Sequence, residues 1–332
     1  MANVRQVRLG DNSVYLLEGA DERVLVDTGP DYQGARETLG SAIDGATPDM
    51  VLATHGHLDH AGLGKWWQDD RHVPVAIGAG DGHLARAPQL SDPAEFEAFT
   101  GWVQASGAPD EVRAEVIHGL EQRRAWAVAA GKAGGYPPMG REHRWPSGLK
   151  YEHFEPRRLI VGDTTLPAGL RALVLPGHTP GNIVAVHEGE GWLFSGDQLL
   201  PEITPIPAVQ AKAPGSGGDW RFRSLPAFVD ALNRLHSMRF SRCFPGHGEP
   251  FDAVSDTIAA NLGQIEQRTA KVAETLAGLG RASVYRLSEE LYPRAVRRRF
   301  WQIVATVQGH LDLLEDRRLA RPTGGAYEFS KT

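Results

Sequence analysis

A single cysteine, Cys243, stands in 332 residues, so no internal disulfide framework exists. It lies in an apolar, strand-like stretch ahead of His247, the setting of a buried core residue and not of a ligand. Long apolar runs are lacking too. Nothing approaches the roughly 20 residues of a membrane span, and the stretch from Met1 to Asp11 carries no apolar core of signal-peptide length. A cytoplasmic protein without a membrane partner is therefore expected. An excess of positive charge is also missing: 35 Lys and Arg against 41 Asp and Glu leave a formal net charge of -6, which gives no general affinity for nucleic acid or anionic membrane. No low-complexity tract or repeat of fixed period interrupts an ordinary globular composition, 41% hydrophobic and 23% charged, on a length that holds one large domain plus a small one.

What is present is concentrated. The run Thr54-His55-Gly56-His57-Leu58-Asp59-His60 follows a strand-like segment, 50–53, and packs four potential ligands together. Imidazole and carboxylate together suit zinc and its first-row neighbours. One His-x-His alone fits a polar turn as well as a metal site. Three later segments repeat the pattern, each placing a ligand-type residue in a Gly-rich turn just after an apolar stretch: Pro176-Gly177-His178, Ser195-Gly196-Asp197 and Pro245-Gly246-His247-Gly248. Glycine permits tight turns and close approach of the backbone, so four strand-to-loop junctions can converge on one point.

The set His55-x-His57-x-Asp59-His60, His178, Asp197 and His247, in that order, resembles the metallo-β-lactamase superfamily, and within it the dinuclear branch that includes hydroxyacylglutathione hydrolases. The likeness covers about the first 250 residues and extends to Leu25-Val26-Asp27-Thr28-Gly29, similar to the family's early strand ending in an Asp that orients a ligating His. The resemblance implies an α+β fold, the αββα sandwich. It implies that His55, His57 and His178 hold one metal, that Asp59, His60 and His247 hold the other, and that Asp197 bridges them. Asp59 and Asp197 are then the catalytic carboxylates. Two divalent ions, zinc or else iron or manganese, would share a bridging water, lower its pKa and supply a hydroxide nucleophile. Antibiotic-hydrolysing relatives carry Cys where Asp197 stands, and di-iron oxidoreductases resemble His-x-Glu-x-Asp where His57 stands, so neither activity is expected.

Residues 4–9, 13–17 and 23–26 read as short strands, 31–45 and 62–70 as helices, and 73–77 as a strand, with the Trp66-Trp67 pair in the core. Between His60 and His178 lies a helical insertion, about 88–150. Ser91-Asp92-Pro93 starts a helix with Phe96, Phe99 and Val103 on one face, Pro109-Asp110 opens a second with Val112, Val116, Leu120 and Trp126, and 131–148 is a Gly- and Pro-rich loop. The helical pair reads as a lid beside the metal site, as an extension of the scaffold, or as the contact of a homodimer. The hydrolase domain is placed at 1–253 and a C-terminal module at 254–332: a helix carrying Ile258 to Leu276, a second over 284–292 stopped by Pro293, a third carrying Phe300 to Leu314, and a hairpin around Gly324-Gly325. Three helices and a hairpin resemble the winged-helix tail of the lactamase-beta-like subgroup.

A metal-dependent hydrolase of a small-molecule ester or thioester, such as an acyl-CoA, a glutathione thioester or a lactone, is expected. The alternatives are an endoribonuclease or phosphodiesterase, for which Arg294, Arg297, Arg298 and Arg299 would contact phosphates, and a hydrolytic dehalogenase. Against nucleic acid, Glu289, Glu290, Asp312, Glu315 and Asp316 share the module with those arginines. The segment 198–206 resembles the wall of the active-site mouth, with Gln198 where many relatives have His. Trp220, Arg221 and Arg223 are candidates for an anionic or coenzyme A-like group. The remaining histidines show no ligand spacing.

Overall fold

Alternating burial explains the first sheet. The computed structural model describes residues 2–43, 45–87, 90–130, 146–205 and 209–330. In it β1 (Asn3–Leu9), β2 (Asn12–Glu18) and β3 (Arg23–Val26) form an antiparallel meander that continues, all parallel, into β4 (Met50–Leu52), β5 (Val75–Gly78) and β6 (Arg158–Ile160). The register pairs Tyr15 with Val26 and Leu17 with Val24. Those four side chains point into the core between the sheets, whereas Leu16 and Leu25 point to the other face. Side chains alternate across a strand, so one sheet serves two cores.

The second sheet has the order β13-β10-β9-β8-β7, built from β7 (Thr164–Thr165), β8 (Arg171–Val174), β9 (Ile183–His187), β10 (Trp192–Gly196) and β13 (Arg242–Pro245). Its inner face meets the first sheet through Ala185, Phe194 and Phe244 packed on Tyr15 and Leu52. Helices cover the outer faces. Over the first sheet lie α1 (Ala35–Ala42) and the short α2 (Leu58–Ala61) with the wide turn Trp66–Asp70; α3 (Gly82–Arg86) packs Ala85 into the same cluster. Over the second lie α6 (Ser224–His236) and the first part of α7 (Val254–Leu279), through Phe228, Leu232, Leu235 and Ile258. This is the expected αββα sandwich.

Helical spacing in the insertion gives α4 (Pro93–Ala105) and α5 (Asp110–Ala130). Asp92 caps α4 by accepting from Ala94 N, with Pro93 at the first position. The C-terminal elements follow as α7, β14 (Arg281–Ala282), α8 (Val284–Leu291), α9 (Phe300–Asp316), β15 (Ala320–Thr323) and β16 (Ala326–Phe329), with β14 and β15 both paired to β16. Phe99, Val103, Val112, Val116 and Leu120 join Leu276, Tyr285, Phe300, Val304 and Leu311 in one apolar cluster. Trp102 stacks on Trp301 at 5.8 Å. The apolar face of the insertion is thus spent on the C-terminal helices.

Several boundaries differ from expectation. The helix placed at 62–70 begins instead at Leu58, and its second part closes as a π-helical turn over Trp66–Asp70, with Arg71 N donating to Trp66 O. Wider winding seats Trp67 fully in the core while leaving Trp66 partly exposed under Arg71. Trp126 is 49% exposed and not on the packed face of α5. The expected loop lies outside the described residues over 131–145, as does Ile206 of the expected mouth wall. Among the described residues no helix is long and apolar enough to cross a membrane.

Candidate metal centre

Four strand ends of the sandwich deliver the ligand-type side chains to one place. The loop after β4 brings His55, His57, Asp59 and His60; the turn between β8 and β9 brings His178; the ends of β10 and β13 bring Asp197 and His247. His55 Nε2 lies 3.0 Å from His57 Nδ1, and His178 Nε2 lies 3.2 Å from the same atom. Zinc–nitrogen bonds of about 2.05 Å at tetrahedral angles place ligand nitrogens roughly 3.3 Å apart, so the three rings have the spacing of ligands to one ion. A second group forms around His60 and His247: their Nε2 atoms lie 3.7 and 3.4 Å from Asp59 Oδ2.

Asp197 touches both groups. Its Oδ1 is 3.4 Å from His60 Nε2, and its Oδ2 is 3.6 Å from His178 Nε2 and 3.5 Å from His247 Nε2. Oδ1 is buried without a hydrogen bond of good geometry, an arrangement suited to a cation. The donor set of imidazoles and carboxylates fits a divalent first-row ion, and groups of these residues have their ligand atoms within 4.8 Å of one another.

Neighbouring groups hold the rings in place. Asp27 Oδ2 accepts from His60 Nδ1 at 2.8 Å, which turns Nε2 toward the centre, and Asp27 Oδ1 accepts from Thr54 N at 2.7 Å. Both bonds depend on Asp27 adopting φ 66°, a left-handed conformation that Asp tolerates better than most residues. Thr54 Oγ1 lies 3.1 Å from His55 Nδ1, and the Asp11 carbonyl lies 3.0 Å from His247 Nδ1. Gly246 is required by space: a Cβ there would sit 2.6 Å from both Asp197 Oδ1 and His60 Cε1.

The protonation pattern follows from burial and charge. Burial, reinforced by the surrounding imidazoles, holds His55 well below its ordinary pKa and lowers His178 to about 3, so both are neutral as ligands must be. Burial also acts against a charge on His60 and His247, yet the carboxylates outweigh it: Asp197 and Asp27 raise His60, and Asp197 and Asp59 raise His247 to about 10, so a metal ion binding here would displace a proton from each ring. Burial likewise opposes ionisation of Asp59 and Asp197, and the adjacent His60 and His247 overcome it, so both carboxyls are held below the usual range.

One residue of the centre was not read from the sequence. Asp81, fully buried after β5, accepts from Gly56 N at 2.9 Å, Thr179 Oγ1 at 2.6 Å and Gly181 N at 2.7 Å. It ties the His55–His57 turn to the His178 turn. The available signal was its place in a Gly-rich turn after an apolar strand, Gly80-Asp81-Gly82, the same pattern that marked the ligands. Two candidates for anion binding are already engaged. Arg221 makes a two-pronged pair with Asp312, 2.8 Å from Nη2 to Oδ1, and Arg223 bonds Asp316 at 2.7 Å and the Asp312 carbonyl. Gln198 lies under His178, its Oε1 accepting from His178 N at 3.2 Å.

The Metallo-beta-lactamase superfamily model matches residues 7–247. The chain is 28% identical over 321 residues to the probable metallo-hydrolase YqjP of Bacillus subtilis (strain 168), covering 92% of this chain and 88% of that protein. It is 23% identical to the beta-lactamase-like protein 2 homolog of Drosophila melanogaster, over 81% of this chain and 70% of that protein. A metallo-beta-lactamase family protein from Thermus thermophilus shares the fold with a TM-score of 0.67 at 22% identity, covering 99% and 98% of the two chains. A beta-lactamase domain protein from Burkholderia ambifaria does so with 0.69 at 20% identity, covering 99% and 92%. With a matching model across both sheets and a His/Asp cluster able to bind a divalent metal, the chain belongs to the metallo-beta-lactamase superfamily.

Proposed function

We propose that this protein is a hydrolase of small-molecule esters or thioesters that works with two divalent ions, zinc by preference. The observation that carries the reading is Asp197, one carboxylate within 3.6 Å of ring nitrogens from both ligand groups. In this reading His55, His57 and His178 would hold one ion, Asp59, His60 and His247 would hold the other, and Asp197 would serve both. When bound, such a pair supplies Lewis acidity and lowers the pKa of water so that a nucleophile exists near neutral pH. The chain's own part is placement. Asp27 fixes the His60 ring through Nδ1, Asp81 locks the two turns that carry His55, His57 and His178, and Asp197 sets the separation of the two groups.

The similarity to a protein named as a probable metallo-hydrolase supports hydrolysis without indicating the bond. A carbonyl substrate is favoured over RNA because the arginines expected to bind phosphate are partly engaged: Arg297 pairs with Glu111 at 3.0 Å and Arg298 bonds the Arg294 carbonyl. The element order α7–β14–α8–α9–β15–β16 supports reading the module, about 254–332, as winged-helix-like, and in this reading it serves packing and not nucleic-acid binding. The test is to assay metal-loaded protein against short acyl thioesters, lactones, phosphodiesters and structured RNA. Chelator-sensitive turnover of a thioester or lactone is expected; turnover confined to RNA or phosphodiesters would replace this reading with the nuclease one.

A further inference from the structure

A cavity of about 720 Å³ lies between α3, α4 and the hairpin of β11 (Gln210–Ala211) and β12 (Arg221–Phe222), within the range of small-molecule sites, about 300–1,000 Å³. It adjoins the metal centre on two sides. Leu84, in its wall, packs on Gly56 between His55 and His57, and Gln210, next to the lining residue Ala211, donates to the His178 carbonyl. One part of the wall is apolar, with Ala79, Ala87, Ala94, Ala98 and Ala211 beside the Trp220 ring, and His83, Lys212, Ser216 and Asp219 add polar groups to the lining.

Several polar groups of the lining already have local partners. Asp92 caps α4, Glu95 accepts from Leu90 N at 2.7 Å, and Arg86 pairs with Glu155 at 2.6 Å. Against the alanine face a polar ligand group would be desolvated without compensation, whereas His83 and Lys212 can meet a polar end of the same ligand. An unbranched hydrocarbon chain asks for nothing that the alanine face of this wall does not offer.

Two of the three elements around the cavity, α4 and the hairpin, rest on the C-terminal helices. α4 turns Ala94 and Ala98 to the cavity and Phe99 and Val103 to the apolar cluster with Phe300 and Val304. The hairpin is tied down by Arg221 to Asp312 of α9, and Trp220 packs edge-on against Phe99 at 5.1 Å. The insertion and the C-terminal module therefore act together as a shaped wall beside the ligand-bearing turns.

We infer that this cavity receives the unbranched apolar acyl chain of the substrate while its carbonyl lies at the metal centre, an inference that rests on the ester or thioester reading. Octanoate and acetate, with their N-acetylcysteamine thioesters, are the probes. On metal-loaded protein, calorimetry should show octanoate binding more tightly than acetate. Ala98→Phe, at a partly exposed helix position, and, independently, Ala94→Phe, at an exposed one, should each weaken octanoate binding about tenfold or more, the scale of excluding a methylene from an apolar pocket. The same variants should raise KM for the octanoyl thioester and leave the acetyl thioester within about twofold. If octanoate binds no better than acetate, or both variants bind it like the wild type, the inference is overturned. Octanoate binding that depends on Ala94 and Ala98 without turnover of either thioester would support the cavity and overturn the ester reading instead.

Discussion

In the proposed mechanism Asp197 is the residue on which most depends, because it is the carboxylate that meets both groups of histidines. Asp197→Ala is expected to abolish turnover, on the order of a thousandfold or more as for loss of an essential catalytic group, while thermal unfolding stays close to wild type. Full activity in a folded Asp197→Ala protein would remove it from the mechanism. Asp27 acts through another residue. With Asp27→Asn the ring of His60 loses its carboxylate partner, so metal affinity should fall about 10- to 100-fold, the usual cost of losing such support. Competition with a chromophoric chelator measures this directly; an unchanged affinity would mean that packing alone orients His60. That His55, His57, Asp59, His60, His178, Asp197 and His247 come together was legible in the sequence, because ligand-type residues recur in Gly-rich turns just after apolar strands. Asp81 was not singled out, since a lone Asp between glycines is also an ordinary turn, and only the fold brings Gly56, Thr179 and Gly181 to it.

At the scale of elements, the strands and helices followed from periodicity wherever one face is buried, as in β2, α4 and α9. The two-residue strands 210–211 and 221–222 carry too few residues for any period, and the partner of the insertion's apolar face cannot be read from its spacing. The link between these elements and α9 is the Arg221–Asp312 pair, with side chains 13% and 1% exposed. Asp312→Ala leaves a buried guanidinium without its partner and should cost about 3–5 kcal/mol, whereas replacing both residues by apolar ones of similar volume should recover most of that. Urea unfolding of the single and double variants checks it, and a single variant as stable as wild type would contradict it. On α9, burial and then the positive charge of Arg268 lower His310 to about 4, with Thr269 bonded at 2.8 Å. Because the unfolded chain binds this proton more readily, the stabilisation is complete above about pH 6.5 and is lost as pH falls toward 4, on the order of 3 kcal/mol. Replacing His310 by Gln should flatten that part of the stability profile between pH 7 and 4.5; an unaltered slope would assign it to other groups.

The described residues form a sandwich whose strand ends bring the candidate metal ligands together, with an insertion and a C-terminal module that share a core. A net charge of -6 and the engaged Arg297 agree with a small-molecule substrate. Changing Arg297, Arg298 and Arg299 together to Ala should therefore leave hydrolysis of a short thioester within about twofold, since exposed charges far from a reacting centre contribute little. Salt-dependent RNA binding that disappears in this variant would point to phosphate contacts instead. The central claim is that seven side chains from four strand ends form one two-metal centre, and metal content tests it most directly. Elemental analysis of protein purified without chelators should give about two equivalents per chain, falling to about one in His57→Ala and in His247→Ala, one variant from each ligand group. A wild-type protein that retains no metal after reconstitution and desalting, or variants that hold as much as the wild type, would contradict the account.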